Sequence, residues 1–425
     1  MIKKWALRAI IAYVLFGVFM YAYLYFLADS SIPDALKGTS ADPTTFLDAK
    51  EIMLSEEYSK FRNLLFFLAT PYEWLFYYLI LILGISAKFE DWAKKTTKIS
   101  IVTTAIYLFW LSIASFLVMF PLSYLSFMMS KSYNISTQTF SLWMKDKLID
   151  FWIEFAISFI VITVLYALIR KFKKRWWLGA WILSVPFSIF MMFIQPVLID
   201  PLYNEFTPLQ DKQLEAKILE FADKANIPAD HVYEVDMSSK TNSMNAYVTG
   251  VGSNSRIVLW DTTLERLSDD EILFIMAHEM AHYVEKHIYI GIAGYLLLTL
   301  IGLYITAKIM ERWITRRGQT WKVEKMTNIS SLPVFLLVTS ILLFSVSPLS
   351  NWVSRYQEVR ADSYAIEMTQ NKDAGVQTFQ SLTKAGLSQI NPPYLVKIFR
   401  YGHPTMLERI KLIEDYELKQ EDNGE

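Results

Sequence analysis

The chain of 425 residues has no cysteine. That excludes disulfides, thiolate metal sites and a cysteine nucleophile, so any bound metal must be held by histidine and carboxylate. It also fits a protein exposed to an oxidising exterior. Histidine is scarce, with five in all, and neither sign of charge dominates: 41 Lys and Arg stand against 42 Asp and Glu. A balance near zero argues against nucleic acid as a partner, because phosphate-tracking surfaces need a basic excess. There is no internal repeat and no low-complexity tract. The first apolar segment lacks an obvious small-residue cleavage site, so it reads as a retained span and not as a removed signal peptide.

Hydrophobic residues make up 53 % of the chain and aromatics 15 %, although 20 % is charged. Mean hydropathy is positive. Such a mixture implies segregation into apolar blocks long enough to cross a bilayer and charged blocks between them. About seven spans are expected, near Trp5–Leu27, Leu64–Ile85, Ile99–Met129, Phe151–Ile169, Trp176–Ile199, the stretch from His287 to Thr306, and Leu332–Leu349. Pro186 and Pro196 predict a kink in the fifth. Four regions divide the chain: 1–199 with five spans, a soluble segment 200–286, two further spans over 287–350, and a soluble C-terminal segment 351–425.

Lysine and arginine cluster at the N-terminus and in the connectors after the second, fourth and sixth spans, around Lys88–Lys98, Arg170–Arg175 and Lys308–Lys325. With seven spans these all fall on one side, which the positive-inside rule makes cytoplasmic. The two soluble segments then share the opposite, extracytoplasmic side of the cell membrane. Two intramembrane carboxylates, Glu73 and Glu154, are costly in lipid unless they face water or a partner. Glu154 reads as a span end at the interface, and Glu73, near Pro71, as a residue facing a chamber.

Within the soluble segment, Leu214, Ile218, Leu219 and Phe221 recur at helical spacing until Pro228. The residues His231–Ser239 and Asn245–Asp261 read as short strands, the latter with a turn over 251–255. Ser268 and Glu271 have the S-x-x-E spacing of a capping box, which opens a helix. That helix carries His278-Glu279-Met280-Ala281-His282. Residues four apart sit about 40° apart around a helix, so both imidazoles leave one face and can chelate a single Zn²⁺. Glu279 lies beside them as a general base for a water at the metal. His231 and His287 read as surface or interface residues.

Two histidines need a third donor, with a further position left for water. The stretch Asn351–Ile366 supplies Glu358 and, one helical turn later, Asp362. Glu358 is then the metal donor and Asp362 the acceptor for a ligand His N–H. The other reading is a solvated charged helix, and spacing alone does not separate the two. The topology favours the first, since this stretch emerges on the same side as the HEMAH helix.

At this point the sequence resembles the type I CAAX prenyl endopeptidases, integral-membrane zinc metalloproteases that trim prenylated C-termini. The likeness rests on HEMAH, on SRYQEVRADSYA at Ser354–Ala365 and on the seven spans. It extends to FTPL at Phe206–Leu209, NAYVTG at Asn245–Gly250, RIVLWDTTL at Arg256–Leu264 and GHPTMLERI at Gly402–Ile410. The resemblance implies a multi-pass α-helical membrane protein, its helices a barrel-like bundle around a chamber. A mostly α, zincin-like catalytic domain with a small β-sheet caps that bundle. It also implies one Zn²⁺ on His278, His282 and Glu358, with Asp362 behind them and Glu279 as base. His403 and Arg409 would stabilise the oxyanion, and Asn245 and Ala246 would lie on an edge strand that pairs with the substrate backbone. The implied partners are membrane lipid and a peptide or protein C-terminus, with or without a lipid attached.

CAAX processing needs prenylated substrates on the cytosolic side, whereas the basic loops place catalysis outside. Cleavage of misfolded membrane proteins or peptides is therefore the alternative role. A seven-span transporter or receptor with an incidental metal site is the reading from another class, and it predicts no hydrolysis.

Overall fold

The computed structural model describes residues 2–229, 231–249 and 256–418. The turn expected over 251–255, with Gly250 before it, lies outside them. The first region holds α1 (Ile2–Ala22), α2 (Ala49–Ile82), α3 (Ile85–Thr96), α4 (Ser100–Ser132), α5 (Phe140–Phe172) and α6 (Trp176–Ile194). The second holds β1 (Phe206–Pro208), α7 (Lys212–Lys224), β2 (Val232–Val235), β3 (Ala246–Thr249), β4 (Arg256–Trp260), α8 (Asp261–Arg266) and α9 (Asp269–Val284). Then follow α10 (His287–Trp321), α11 (Leu332–Thr369), α12 (Lys372–Gly386), α13 (Tyr394–Arg400) and α14 (Met406–Asp415).

Among the described residues, seven helices are long and apolar enough to cross a membrane, as the hydropathy pattern predicts. Several outrun it. Helices α2, α4, α5, α10 and α11 have 34, 33, 33, 35 and 38 residues. At about 1.5 Å per residue they reach roughly 50 Å, well beyond a hydrocarbon core of about 30 Å. The surplus is polar sequence that hydropathy assigns to loops. Lys308–Arg317 is helix and not a connector, and α11 carries the seventh span through Pro348 straight into the Glu358 segment. Helix α6 runs through Pro186 and passes into a π-helical turn at Gln195–Ile199, where Pro196 withholds its N–H.

The four basic regions meet at one end of the bundle. Arg170 Nη1 donates to Ser100 Oγ at 2.8 Å, Ser86 Oγ donates to the Ser330 carbonyl at 2.8 Å, and Arg317 lies over the Trp5 ring. Inside the bundle, α2, α4, α5 and α11 enclose a cavity of about 410 Å³ whose lining includes Glu73, Ser112, Asp150, Glu154 and Ser158. Glu73 accepts from Tyr77 Oη at 3.0 Å and Ser340 Oγ at 3.2 Å, as a chamber-facing carboxylate should. Glu154 lines the same cavity. Helix α5 starts at Phe140, about three turns before its apolar stretch.

At the other end the strands form one four-stranded sheet in the order β1-β2-β4-β3, antiparallel except for β2 and β4. Its inner face packs Val232, Ile257 and Leu259 against Ile218 of α7 and Met276 and Met280 of α9. The opposite side of α9 meets the C-terminal helices: Phe274 and Ala277 pack with Phe379 of α12, Ile410 of α14 and Ala365 of α11. Helix α9 is therefore sandwiched between a sheet and a helical layer. Gly375 permits the closest part of that contact, since a Cβ there would lie 2.7 Å from the Phe274 ring and 2.9 Å from Ile413 Cδ1.

Candidate active site

Helix α9 starts where the capping box predicts. Ser268 N donates to Glu271 Oε2 at 2.8 Å, and the reciprocal bond from Glu271 N to Ser268 Oγ is 3.4 Å. Glu271 also accepts from Ser381 Oγ at 3.0 Å, which ties the start of α9 to α12. With Met276, Ala277, Met280 and Ala281 fully buried, the orientation of the helix is fixed and its remaining face carries His278, Glu279 and His282.

Helix α11 crosses α9 and presents Glu358 and Asp362, both buried, to that face. His278 Nε2 lies 3.3 Å from His282 Nε2 and 3.2 Å from Glu358 Oε2, and His282 Nε2 lies 3.5 Å from Glu358 Oε1. A tetrahedral centre with ligand bonds of about 2.0–2.1 Å has edges of about 3.3 Å. The three donors thus stand where a metal would need them. Glu358 Oε2 is buried with no hydrogen-bond donor among the described residues, a costly arrangement that a cation resolves.

Each donor is held from behind. His278 Nδ1 donates to Asp362 Oδ1 at 2.8 Å, which leaves Nε2 with its lone pair toward the other donors. Arg409, buried on α14, forms a two-pronged bond to Asp362, Nε to Oδ2 at 2.9 Å and Nη2 to Oδ1 at 2.6 Å. Its guanidinium also lies 4.0 Å from the Phe379 ring centroid. The donors of Arg409 are therefore committed to Asp362 more than to the cleft.

For His282 the corresponding partner is His287, with Nδ1 atoms 2.9 Å apart. This corrects the surface reading of His287, which is 6 % exposed. Lys286 adopts a left-handed conformation, φ 58°, between α9 and α10, and this turn swings His287 back over His282. His231 is exposed, as expected.

His403 precedes α14 and reaches the site from the loop, its Nε2 3.5 Å from Glu358 Oε2 and its ring largely open to solvent. Ala246 opens β3, with Asn245 just before it, and among the described residues β3 is an edge strand with one side unpaired. All of these line or border a cleft of about 370 Å³ that takes in Asn245, Ala246, His278, Glu279, His403 and Arg409.

The electrostatics follow from burial and neighbours. Burial alone would depress His278, but its bond to Asp362 and the nearby Glu358 carboxylate outweigh that and raise its pKa to about 9, so a metal binding at Nε2 must displace a proton. Burial presses His282 down to about 4. Burial also lifts Glu279 above the ordinary carboxylate range, the direction a proton-shuttling base near neutral pH requires.

Comparison with known proteins gives this arrangement its context. Residues 208–417 match the model of peptidase family M48, and residues 23–205 match the CAAX prenyl protease N-terminal region of five membrane helices. The Bacillus subtilis protein named Uncharacterized metalloprotease YhfN is 52 % identical over 98 % of this chain and 97 % of its own. The chain belongs to peptidase family M48. CAAX prenyl protease 1 of Saccharomyces cerevisiae is 30 % identical over 72 % of this chain and 70 % of its own length. The crystal structure of S. mikatae Ste24p superposes with a TM-score of 0.79 at 24 % identity, covering 96 % of this chain and 97 % of the other. This M48 member is accordingly a multi-pass membrane metallopeptidase whose helices surround a chamber.

Proposed function

We propose that this M48 member is a zinc endopeptidase whose metal is held by His278, His282 and Glu358. The observation that carries the reading is the convergence of two imidazole Nε2 atoms, 3.3 Å apart, on the Glu358 carboxylate, whose two oxygens lie 3.2 Å from His278 and 3.5 Å from His282, beside Glu279. When bound there, zinc supplies Lewis acidity to a water and to the scissile carbonyl. Glu279 takes the proton of the attacking water and hands it to the nitrogen of the departing amine, so that water adds across the C–N bond with no net proton change. Asp362 fixes the His278 tautomer, and Arg409 fixes Asp362. His403, open to the cleft, donates to the carbonyl oxygen as negative charge gathers there, and Arg409 adds positive potential from behind. The free edge of β3 at Asn245 and Ala246 hydrogen-bonds the peptide backbone by strand addition.

The relatives named CAAX prenyl protease 1 support a protein C-terminus, prenylated close to the cleavage point, as substrate. The concentration of Lys and Arg at the end of the bundle opposite the cleft favours an extracytoplasmic cleft, which supports cleavage of misfolded membrane proteins or peptides as the second reading. A decisive test uses the protein purified in detergent, with zinc measured by elemental analysis and a farnesylated CAAX peptide assayed beside its unprenylated form. Glu279→Gln should keep its zinc and lose about 10²–10⁴-fold in kcat/KM. Retention of most activity in that variant would overturn the mechanism, and equal cleavage of both peptides would overturn the prenyl reading.

Because the chain has no native cysteine, a single introduced thiol reports sidedness without background. Ala216→Cys on exposed α7 should react with an impermeant thiol reagent in intact cells, and Lys174→Cys should not. The reverse pattern would move the cleft to the cytoplasm.

A further inference from the structure

The cleft contains a charge that the mechanism above does not use. Arg62, on α2, lines it together with His278, Glu279, Asn245 and Tyr401. Its guanidinium rests over the Tyr58 ring, and among the described residues no carboxylate lies within ion-pair distance of it. Glu56, on the same helix, is occupied by Lys60 at 3.4 Å and by Gln389 Nε2 at 3.0 Å. Behind Arg62 stands Arg400, at the end of α13, also without an acidic partner among the described residues. Arg400 donates to Asn63 Oδ1 and lies over the Phe66 ring. Burial, and then repulsion from Arg62, pull its pKa down to about 10. Asn63, 1 % exposed, leaves its Nδ2 without an acceptor among the described residues. Two neighbouring cations in a partly desolvated place, with a spare amide donor beside them, make an environment that is stabilised when an anion enters.

Strand addition says which anion. A peptide laid antiparallel to β3 runs from the Thr249 end toward Ala246, so its C-terminal part passes Asn245 and Ser243, which line the same cleft as Arg62. We propose that Arg62, reinforced by Arg400, binds the C-terminal carboxylate of the bound peptide a few residues beyond the scissile bond. This rests on the peptidase reading and deepens it by assigning the residues that would hold the chain terminus. An acidic side chain offers the same chemistry from a different source.

Three labelled peptides separate these cases: a free C-terminal acid, the C-terminal amide of the same sequence, and that amide with its last residue replaced by glutamate. Binding is measured by fluorescence anisotropy in full-length Glu279→Gln protein, which reads the anion site whether or not the peptide is a substrate. Hydrolysis in the unmodified enzyme reads the peptidase activity separately. The free acid should bind about tenfold or more tightly than the amide, as expected for a charge-assisted contact. Adding Arg62→Gln should abolish that preference and leave amide binding unchanged. Arg400→Gln should reduce it, and Arg62→Lys should restore part of it. Amide binding and zinc content serve as the folding control for every variant. Equal binding of acid and amide by the parent, or a preference that survives Arg62→Gln, would overturn the proposal. Equal gain from the terminal glutamate would replace the chain terminus by an acidic side chain, and would also overturn it. Absence of hydrolysis with the binding preference intact would overturn the peptidase reading and leave the anion site standing.

Discussion

His287 shows how a single residue escapes a periodicity argument. It lies five positions after His282, and on a continuous helix that spacing would turn it roughly 140° away from the metal-binding face. It reaches Nδ1 of His282 because α9 stops at Val284 and Lys286 turns left-handed. For His282 Nε2 to offer a lone pair, Nδ1 must carry the proton and donate it to His287. His287→Ala should therefore weaken zinc binding about 10–100-fold, seen as zinc lost at a lower chelator concentration while the fold survives. The pair His278 and His282 was readable from spacing alone, because both lie within one helix. Glu358 and Asp362 were readable as a pair, but their meeting with α9 depends on how two helices pack, which spacing does not encode. Arg409 was placed at the site by resemblance, and only the packed structure reveals that its donors hold Asp362.

At the scale of elements, the decisive contact is that of α9 with the helices on its far side. Helix α12 approaches α9 at Gly375, where a methyl group would meet the Phe274 ring and Ile413. Gly375→Ala should overpack this contact and destabilise the catalytic domain by about 1–3 kcal/mol, visible as a lower Tm and reduced activity with the metal donors untouched. The start of α9 was legible, since Ser268 and Glu271 form the capping box their spacing announces. The helix limits near the membrane were not. Hydropathy marks where a helix is apolar, but a helix continues while its backbone bonds continue, so polar ends such as Phe140–Asp150 of α5 and Lys308–Arg317 of α10 are indistinguishable from loops in the sequence.

At the scale of the molecule, the proposed metal donors come from two long-separated segments. His278 and His282 end the first soluble segment, and Glu358 follows two membrane crossings later, on the extension of α11. A bound metal therefore ties the sheet-bearing layer to a helix continuous with the chamber wall. Ligation of the folded form alone stabilises it in proportion to the logarithm of the free ligand ratio, about 4 kcal/mol at a thousandfold excess over Kd. Treatment with a chelator such as 1,10-phenanthroline should lower the Tm of the whole protein, and added zinc should restore it. An unchanged Tm with zinc demonstrably removed would mean that the donors are organised by protein contacts alone. The seven crossings and the gathering of basic loops at one end were legible, because both follow from composition along the chain. The chamber was not, since its walls are set by which helices touch.

The path of the chain also governs when this enzyme can exist. Synthesis delivers the HEMAH helix well before Glu358, and α10 and the membrane part of α11 must be threaded between them. Until that last crossing is complete, a growing chain lacks the carboxylate of the proposed ligand set. On that ligand set, proteolytic competence arises only at the end of membrane insertion, so a half-made copy carries no scissors into the machinery that is building it.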